Sequence, residues 1–106
     1  MYLIICQADA LTAFWGFKMA IYVIAYDVGT TGMKTCLFEI DKTISPVANA
    51  YASYNLYMVG NGGAEQDPEE WWGAMCSTTK ELFTKTDVKP SQIAGISFCS
   101  QAQGLV

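Results

Sequence analysis

An uninterrupted run of apolar residues, 21–26, constrains the fold of this chain more than any other feature. The run is rich in β-branched and aromatic side chains and contains no polar position. A strand with one wet face alternates between apolar and polar residues, whereas a continuous run is typical of a strand buried on both faces. Residues 27–32 end the run with glycines and threonines, which favour a turn. We therefore predict a central strand followed by a tight turn.

Two further strands are predicted after this turn. Residues 33–40 alternate between the two faces, so the chain returns as a second strand and forms a hairpin with the first. Asp41 and Lys42 close the far end of that hairpin. A third strand is predicted over residues 47–56, with alanines and an aromatic residue on one face and more polar side chains on the other. A glycine-rich loop follows at residues 60–63.

A helix is predicted over residues 68–84. Asp67 suits the N-cap, Pro68 the first helical position and Glu70 the first turn. Side chains with helical spacing follow: Trp71, Trp72, Met75, Thr79, Leu82 and Phe83. This spacing places Trp71 and Trp72 in a core rather than on a sugar-stacking platform.

A fourth strand is predicted over residues 93–99, after a break at residues 89–91. The order β-β-β-α-β indicates an α/β fold with a mixed sheet. A single helix covers only one face of such a sheet, so we expect an incomplete domain. Apolar surface that remains uncovered predicts self-association of the isolated chain.

Composition excludes several classes of function. The net charge is −4, and the 6 basic residues are scattered, which argues against binding of nucleic acid or anionic membranes. The chain has no histidine, so catalytic triads and metal sites that use histidine are absent. The four cysteines, Cys6, Cys36, Cys76 and Cys99, lack paired spacing. We expect buried, reduced thiols and a cytoplasmic location.

Residues 1–18 differ from the rest of the chain. They have neither the basic start nor the small-residue cleavage site of a signal peptide. They are also too short and too polar for a membrane span, which needs about 20 apolar residues. We expect them to be a leader or extension, with the natural start at Met19. Residues 19–106 would then be the opening portion of a domain.

The turn after the first strand contains residue types that suit a phosphate group. Gly29 and Gly32 allow a ligand to approach the backbone, and turn amides can form a cavity that binds anions. The hydroxyl groups of Thr30 and Thr31 add donors. The same residues also suit an ordinary hairpin turn, and residue type alone leaves both interpretations open.

Two charged residues flank this turn. Asp27 ends the first strand, where a carboxylate can hold hydrated Mg²⁺ near phosphates, and Lys34 brings a positive charge from the second strand. The pattern is neither a Walker A motif nor a dinucleotide-binding turn, because both require a helix directly afterwards.

Three segments of the chain resemble known motifs, in the same order. Residues 21–38 resemble the first phosphate motif of the FGGY carbohydrate kinases, which belong to the actin, Hsp70 and hexokinase superfamily with a ribonuclease H-like fold. Residues 64–72 are similar to the E-Q-D-P-x-x-W-W helix start of that family. Residues 95–106 resemble the strand that ends in G-Q-M-H-G in its xylulose kinases.

The resemblance implies a kinase that transfers the γ-phosphate of ATP, with Mg²⁺, to a hydroxyl group of a sugar or polyol. By this similarity Asp27 serves the metal ion, and Lys34 occupies a basic position of the motif. The implied contacts to the ATP phosphates are Gly29, Thr30 and Thr31.

The resemblance also implies a contact between the loop at residues 101–104 and the sugar hydroxyls. This loop consists of Gln101, Ala102, Gln103 and Gly104. Ala102 stands where methionine is usual, and Gln103 stands where histidine is usual. Glutamine still donates and accepts hydrogen bonds, so a sugar or polyol fits, but these departures weaken the case for D-xylulose.

In the family the general base is an aspartate far along the chain, so the resemblance implies a base beyond Val106 and no catalytic residue within these 106 residues. We therefore expect the chain to need the rest of the kinase polypeptide and to be inactive alone. Two alternatives come from other classes. One is an ATPase-fold module of the actin or Hsp70 type, for which a sugar-contacting Gln101 loop has no purpose. The other is a structural or interaction fragment that binds no nucleotide.

Overall fold

The computed structural model describes residues 20–102. The predictions for residues 1–18, for Gln103 and Gly104, and for a general base beyond Val106 lie outside this range. The described part contains these elements in order: β1 (Ile21–Val28), β2 (Gly32–Ile40), β3 (Ile44–Ser53), β4 (Tyr57–Val59), a 3₁₀ turn (Gly60–Gly62), β5 (Gly63–Glu65), α1 (Pro68–Lys85), a second 3₁₀ turn (Pro90–Gln92) and β6 (Ile93–Ser100). The predicted order is confirmed, apart from the small β4–β5 hairpin.

One mixed sheet forms the body of the domain, with the strand order β3-β2-β1-β6. β1 and β2 are antiparallel and form the predicted hairpin, in which Asp27 lies opposite Lys34. β6 runs parallel to β1 on its other side, where Val28 pairs with Ser100. Because the carboxyl ends of parallel strands share one edge of the sheet, the turn after β1 and the segment after β6 come together.

α1 packs against β2 and β3 and covers one face of the sheet. Its buried residues are Ala74, Thr78 and Leu82, spaced four apart along one stripe of the helix. They meet a sheet core of Ile24, Tyr26, Met33, Leu37 and Ala50. A hydrogen bond of 2.8 Å between the hydroxyl oxygens of Thr35 and Thr78 satisfies the buried polar atoms in this layer.

The helix start is confirmed, but one of its two tryptophans is not in the core. Asp67 Oδ1 accepts a hydrogen bond of 2.9 Å from the amide of Glu69, and Pro68 follows as the first helical residue. Trp71 is half-buried, whereas 59% of Trp72 is exposed. Consecutive helical residues point about 100° apart, so Trp72 turns away from the stripe that meets the sheet. The prediction of a core position is wrong for Trp72.

β3 begins three residues earlier than predicted and ends at Ser53. The face assignment is confirmed for Ala50 and Tyr54, which are buried, but it is wrong for Leu56, which lies beyond the strand and is exposed. The β4–β5 hairpin was missed because its strands are three residues long, too short for a period of two to be recognised. Its turn holds Asn61 and Gly62 at positive φ.

The opposite face of the sheet is mostly open. Its exposed or half-buried residues include Val23, Ala25, Asp27, Lys34, Cys36, Phe38, Asn49, Tyr51 and Cys99. The expectation of one covered and one uncovered face is therefore met in the described residues. The three described cysteines are free, but Cys99 is exposed and Cys36 and Cys76 are half-buried, so the prediction of buried thiols is wrong. Within residues 20–102, no helix has the length and apolarity needed to cross a membrane.

Candidate functional site

The turn between β1 and β2 presents backbone amides to solvent. A hydrogen bond of 3.0 Å from the amide of Gly29 to the carbonyl of Gly32 closes the turn. Thr30 and Thr31 lie between them and are exposed. Among residues 20–102, no acceptor receives a hydrogen bond from the amide of Thr30 or Thr31. Two adjacent free N–H groups on an exposed turn are suited to an anionic ligand.

Side chains behind the turn explain this orientation. The carbonyl groups of residues 29–31 accept hydrogen bonds in sequence: Tyr54 donates to the first, Gln66 Nε2 to the second at 2.6 Å, and Tyr51 to the third at 3.3 Å. In a planar trans peptide the N–H group points opposite to the C=O group. Since the carbonyl groups of Gly29 and Thr30 point inward, the amides that follow them point outward.

Gly32 is required by packing rather than by backbone conformation. Its φ is not positive, but a Cβ atom there would lie 2.7 Å from the carbonyl oxygen of Ala52 and would overlap the ring of Tyr51. Tyr51 crosses over Gly32 on the open face of the sheet to reach Thr31. The packing of Tyr51 and Ala52 is therefore sufficient to require glycine at this position.

Asp27 and Lys34 lie beside the turn on the open face. They are exposed and pair directly across β1 and β2. The described residues contain no group of three or more histidine, cysteine or acidic side chains that could hold a metal ion. Mg²⁺ is commonly bound by one or two carboxylates, with water and phosphate oxygens as its other ligands. A lone exposed carboxylate beside free amides therefore fits Mg²⁺ that arrives with a polyphosphate.

Cys99 contacts the Asp27 carboxylate from β6, with its Sγ 3.3 Å from Oδ1. This hydrogen bond, with smaller effects of burial and of the negative charge, raises the pKa of the Cys99 thiol above its usual value.

We predict that Cys99 reacts slowly with iodoacetamide near neutral pH, because the raised pKa leaves little thiolate. Asp27→Asn removes the charged acceptor, so the pKa should fall and the alkylation rate at Cys99 should rise. Mass spectrometry with site mapping measures the rate at each cysteine. Cys76, which lies on α1 away from Asp27, is the internal control whose rate should not change. An unchanged Cys99 rate in the variant would contradict the contact.

Gln101 follows β6 and lies next to the turn. Its amide donates a hydrogen bond of 2.9 Å to the carbonyl of Val28, and its side-chain Nε2 donates one of 2.8 Å to Gln66 Oε1. Ala102 comes next and is exposed. The structure thus brings together the two groups of residues that the sequence predicted as separate sites.

Sequence reasoning missed the support that Tyr51 and Tyr54 give to the turn, and it assigned no definite role to Gln66 within the matched segment 64–72. Two tyrosines three positions apart at the end of a strand were a usable signal, because they leave the strand on opposite faces. Glu70 was expected to act only as a charge in the first turn of the helix. It also accepts hydrogen bonds from the Asn55 amide at 2.7 Å and from Tyr57, which lower the pKa of its carboxyl group.

Comparisons with known proteins agree on one family. The model of the FGGY family of carbohydrate kinases, N-terminal domain, matches residues 22–106, up to the last residue, Val106. The chain is 34% identical over 85 residues to a glycerol kinase of Alteromonas mediterranea, covering 80% of the chain and 17% of that protein. It is 33% identical over 84 residues to a xylulose kinase of Staphylococcus epidermidis, covering 79% and 16%.

A solved structure extends this similarity to the fold. The crystal structure of gluconate kinase from Lactobacillus acidophilus has a TM-score of 0.66 and 36% identity, covering 78% of this chain and 16% of that one. The chain therefore spans about one sixth of the length of these proteins.

Proposed function

This chain belongs to the FGGY family of carbohydrate kinases, and from that premise we propose that it supplies the phosphate-binding turn and part of the sugar-binding cleft of such a kinase. The reaction is transfer of the γ-phosphate of ATP to a hydroxyl group of a sugar or polyol. The observation that carries this proposal is the pair of outward-facing amides at Thr30 and Thr31 beside the Asp27 carboxylate. An ordinary hairpin turn has no need of two side chains, Tyr54 and Gln66, that hold the carbonyl groups of Gly29 and Thr30 inward.

The roles at the turn follow from what each group can donate or accept. The amides and hydroxyls of Thr30 and Thr31 bind phosphate oxygens, and Gly29 lets them approach the backbone. Asp27 holds Mg²⁺, which supplies positive charge next to the β- and γ-phosphates when it is bound. Lys34 lies opposite Asp27 and attracts the polyphosphate over a longer range.

The segment after β6 forms the sugar side of the site. Gln101 is only half-buried, so its side chain is accessible to a substrate hydroxyl, and Ala102 continues the same edge. The resemblance to xylulose kinases assigns the same contact to Gln103 and Gly104, the next two residues in the sequence. The relatives are named for glycerol, xylulose and gluconate, which share hydroxyl groups but differ in size and charge. The substrate class is therefore a polyhydroxylated carbohydrate.

The remainder of the kinase polypeptide, beyond Val106, supplies the general base and covers the open face of the sheet. Phe98 on β6 is an exposed apolar residue on the other face, which α1 covers only in part, and it stacks on Tyr26 there. Without further cover, such residues favour self-association. We expect the 106 residues alone not to phosphorylate a sugar in a coupled kinase assay, and clear turnover would overturn this expectation. The protein acts in the cytoplasm, where ATP and reduced thiols are abundant.

Nucleotide binding is tested by titrating the ¹⁵N-labelled chain with Mg-ATP and recording amide NMR shifts. We expect the largest shifts at Thr30 and Thr31 and smaller ones at Gly29. The amides of Asn61 and Gly62, in the separate β4–β5 hairpin, serve as reference signals that do not move. A chain whose turn amides stay unchanged at millimolar Mg-ATP would be a structural fragment, and the proposal would be wrong.

A further inference from the structure

A single side chain connects the two halves of the site. Gln66 lies between β5 and α1 and is half-buried. Its Nε2 donates to the carbonyl of Thr30 at 2.6 Å, and its Oε1 accepts from Gln101 Nε2 at 2.8 Å and from Trp71 Nε1 at 3.3 Å. No direct hydrogen bond joins Gln101 to residues 29–31 in the described part of the chain, so the connection from the Gln101 side chain to the Thr30 carbonyl passes through Gln66.

The partners fix the orientation of the Gln66 amide. A carbonyl oxygen can only accept, so it requires Nε2, and two N–H donors require Oε1. Glutamate would keep the acceptor but would place a negative oxygen against the Thr30 carbonyl. The ring of Trp71 is itself braced by Tyr54, with ring centroids 6.5 Å apart and planes tilted by 57°. Trp71 therefore anchors Gln66 on the side of α1, and the other two hydrogen bonds of Gln66 reach Gln101 and Thr30.

We propose that Gln66 is a positioning residue that couples the sugar-side segment at Gln101 to the phosphate turn at Thr30. This rests on the proposed function. A ligand that fixes the Gln101 side chain also fixes its hydrogen bond to Gln66 Oε1. The Gln66 side chain is then held in place, and its Nε2 keeps the hydrogen bond to the Thr30 carbonyl. The peptide plane that contains this carbonyl also contains the Thr31 amide, which is thereby aimed outward. Coupling between sites is reciprocal, so a bound phosphate in turn orders Gln101.

The experiment is a mutant cycle read by NMR on the free 106-residue chain, without nucleotide. Gln101→Ala should shift the ¹⁵N resonance of Thr31, because the hydrogen bond at the neighbouring carbonyl changes. In the Gln66→Glu background the same replacement should leave Thr31 unchanged. Gln92→Glu is the matched control: Gln92 Oε1 accepts from the Lys89 amide at the opposite end of β6, and glutamate keeps that acceptor. In this background the Gln101→Ala shift should persist.

A second measurement links the coupling to ligand binding. Gln66→Glu should weaken binding of Mg-ATP by about three- to tenfold, the effect of one lost hydrogen bond and an added charge. Its urea midpoint should match that of Gln92→Glu. Equal Thr31 shifts in both Gln66 backgrounds would overturn the coupling even if Mg-ATP binds. Loss of the shift in the Gln66→Glu background supports the coupling even if Mg-ATP fails to bind, an outcome that would contradict only the proposed function.

Discussion

Replacing Asp27 by asparagine should weaken binding of Mg-ATP by the chain at least about tenfold, which is the usual loss of affinity when a residue near a bound metal ion is replaced. Asparagine has nearly the same shape, but it lacks the charge that Mg²⁺ prefers in an oxygen ligand. Asp27 is exposed, so the free energy of unfolding should stay within about 0.5 kcal/mol of the wild-type value. NMR or calorimetric titration with Mg-ATP measures the first quantity, and urea unfolding measures the second.

A comparison of Mg-ATP with metal-free ATP tests whether Asp27 acts through the metal ion. Without Mg²⁺ the Asp27 carboxylate repels the negative phosphates, so metal-free ATP should bind the variant equally well or better. Asp87→Asn provides the control, because Asp87 is also exposed but lies before β6, at the end of the sheet opposite to the turn. This control should bind Mg-ATP like the wild-type chain. An equal loss of affinity in Asp27→Asn with and without Mg²⁺ would contradict a metal-binding role.

The elements of this fold were predictable because their signals are local. The continuous apolar run predicted β1, and the turn residues after it predicted the hairpin with β2. Asp67 and Pro68 predicted the helix start to the residue. These signals reflect interactions between residues less than five positions apart, which a single sequence displays directly.

The contacts of Gln66 behind the turn were not predictable, because they span long distances along the chain. Gln66 contacts Thr30 across 36 positions and Gln101 across 35. Such pairs depend on the parallel arrangement of β1 and β6, which local patterns do not specify. The prediction of a core position for Trp72 failed for a related reason, because the face of a helix that becomes buried depends on the sheet against which the helix packs.

Leu82→Ala should lower the free energy of unfolding by about 2–5 kcal/mol, which is the usual range for a leucine in a closed core. Leu82 is fully buried, with 0% exposure, and its stripe on α1 meets β2 and β3. The total stability of a domain is about 5–15 kcal/mol, so this loss would remove a large share of it. Urea unfolding followed by circular dichroism measures the change.

Trp72→Ala is the control on the same helix. It removes a larger side chain, but one that is 59% exposed, so the free energy of unfolding should fall by less than about 1 kcal/mol.

The packing of α1 also affects the site, because α1 begins beside Gln66 and Trp71 donates a hydrogen bond to the Gln66 side chain. If α1 loosens from the sheet in Leu82→Ala, the turn loses its support, and binding of Mg-ATP should weaken together with stability. A stable Leu82→Ala chain, or a more costly Trp72→Ala, would mean that α1 docks through a different face.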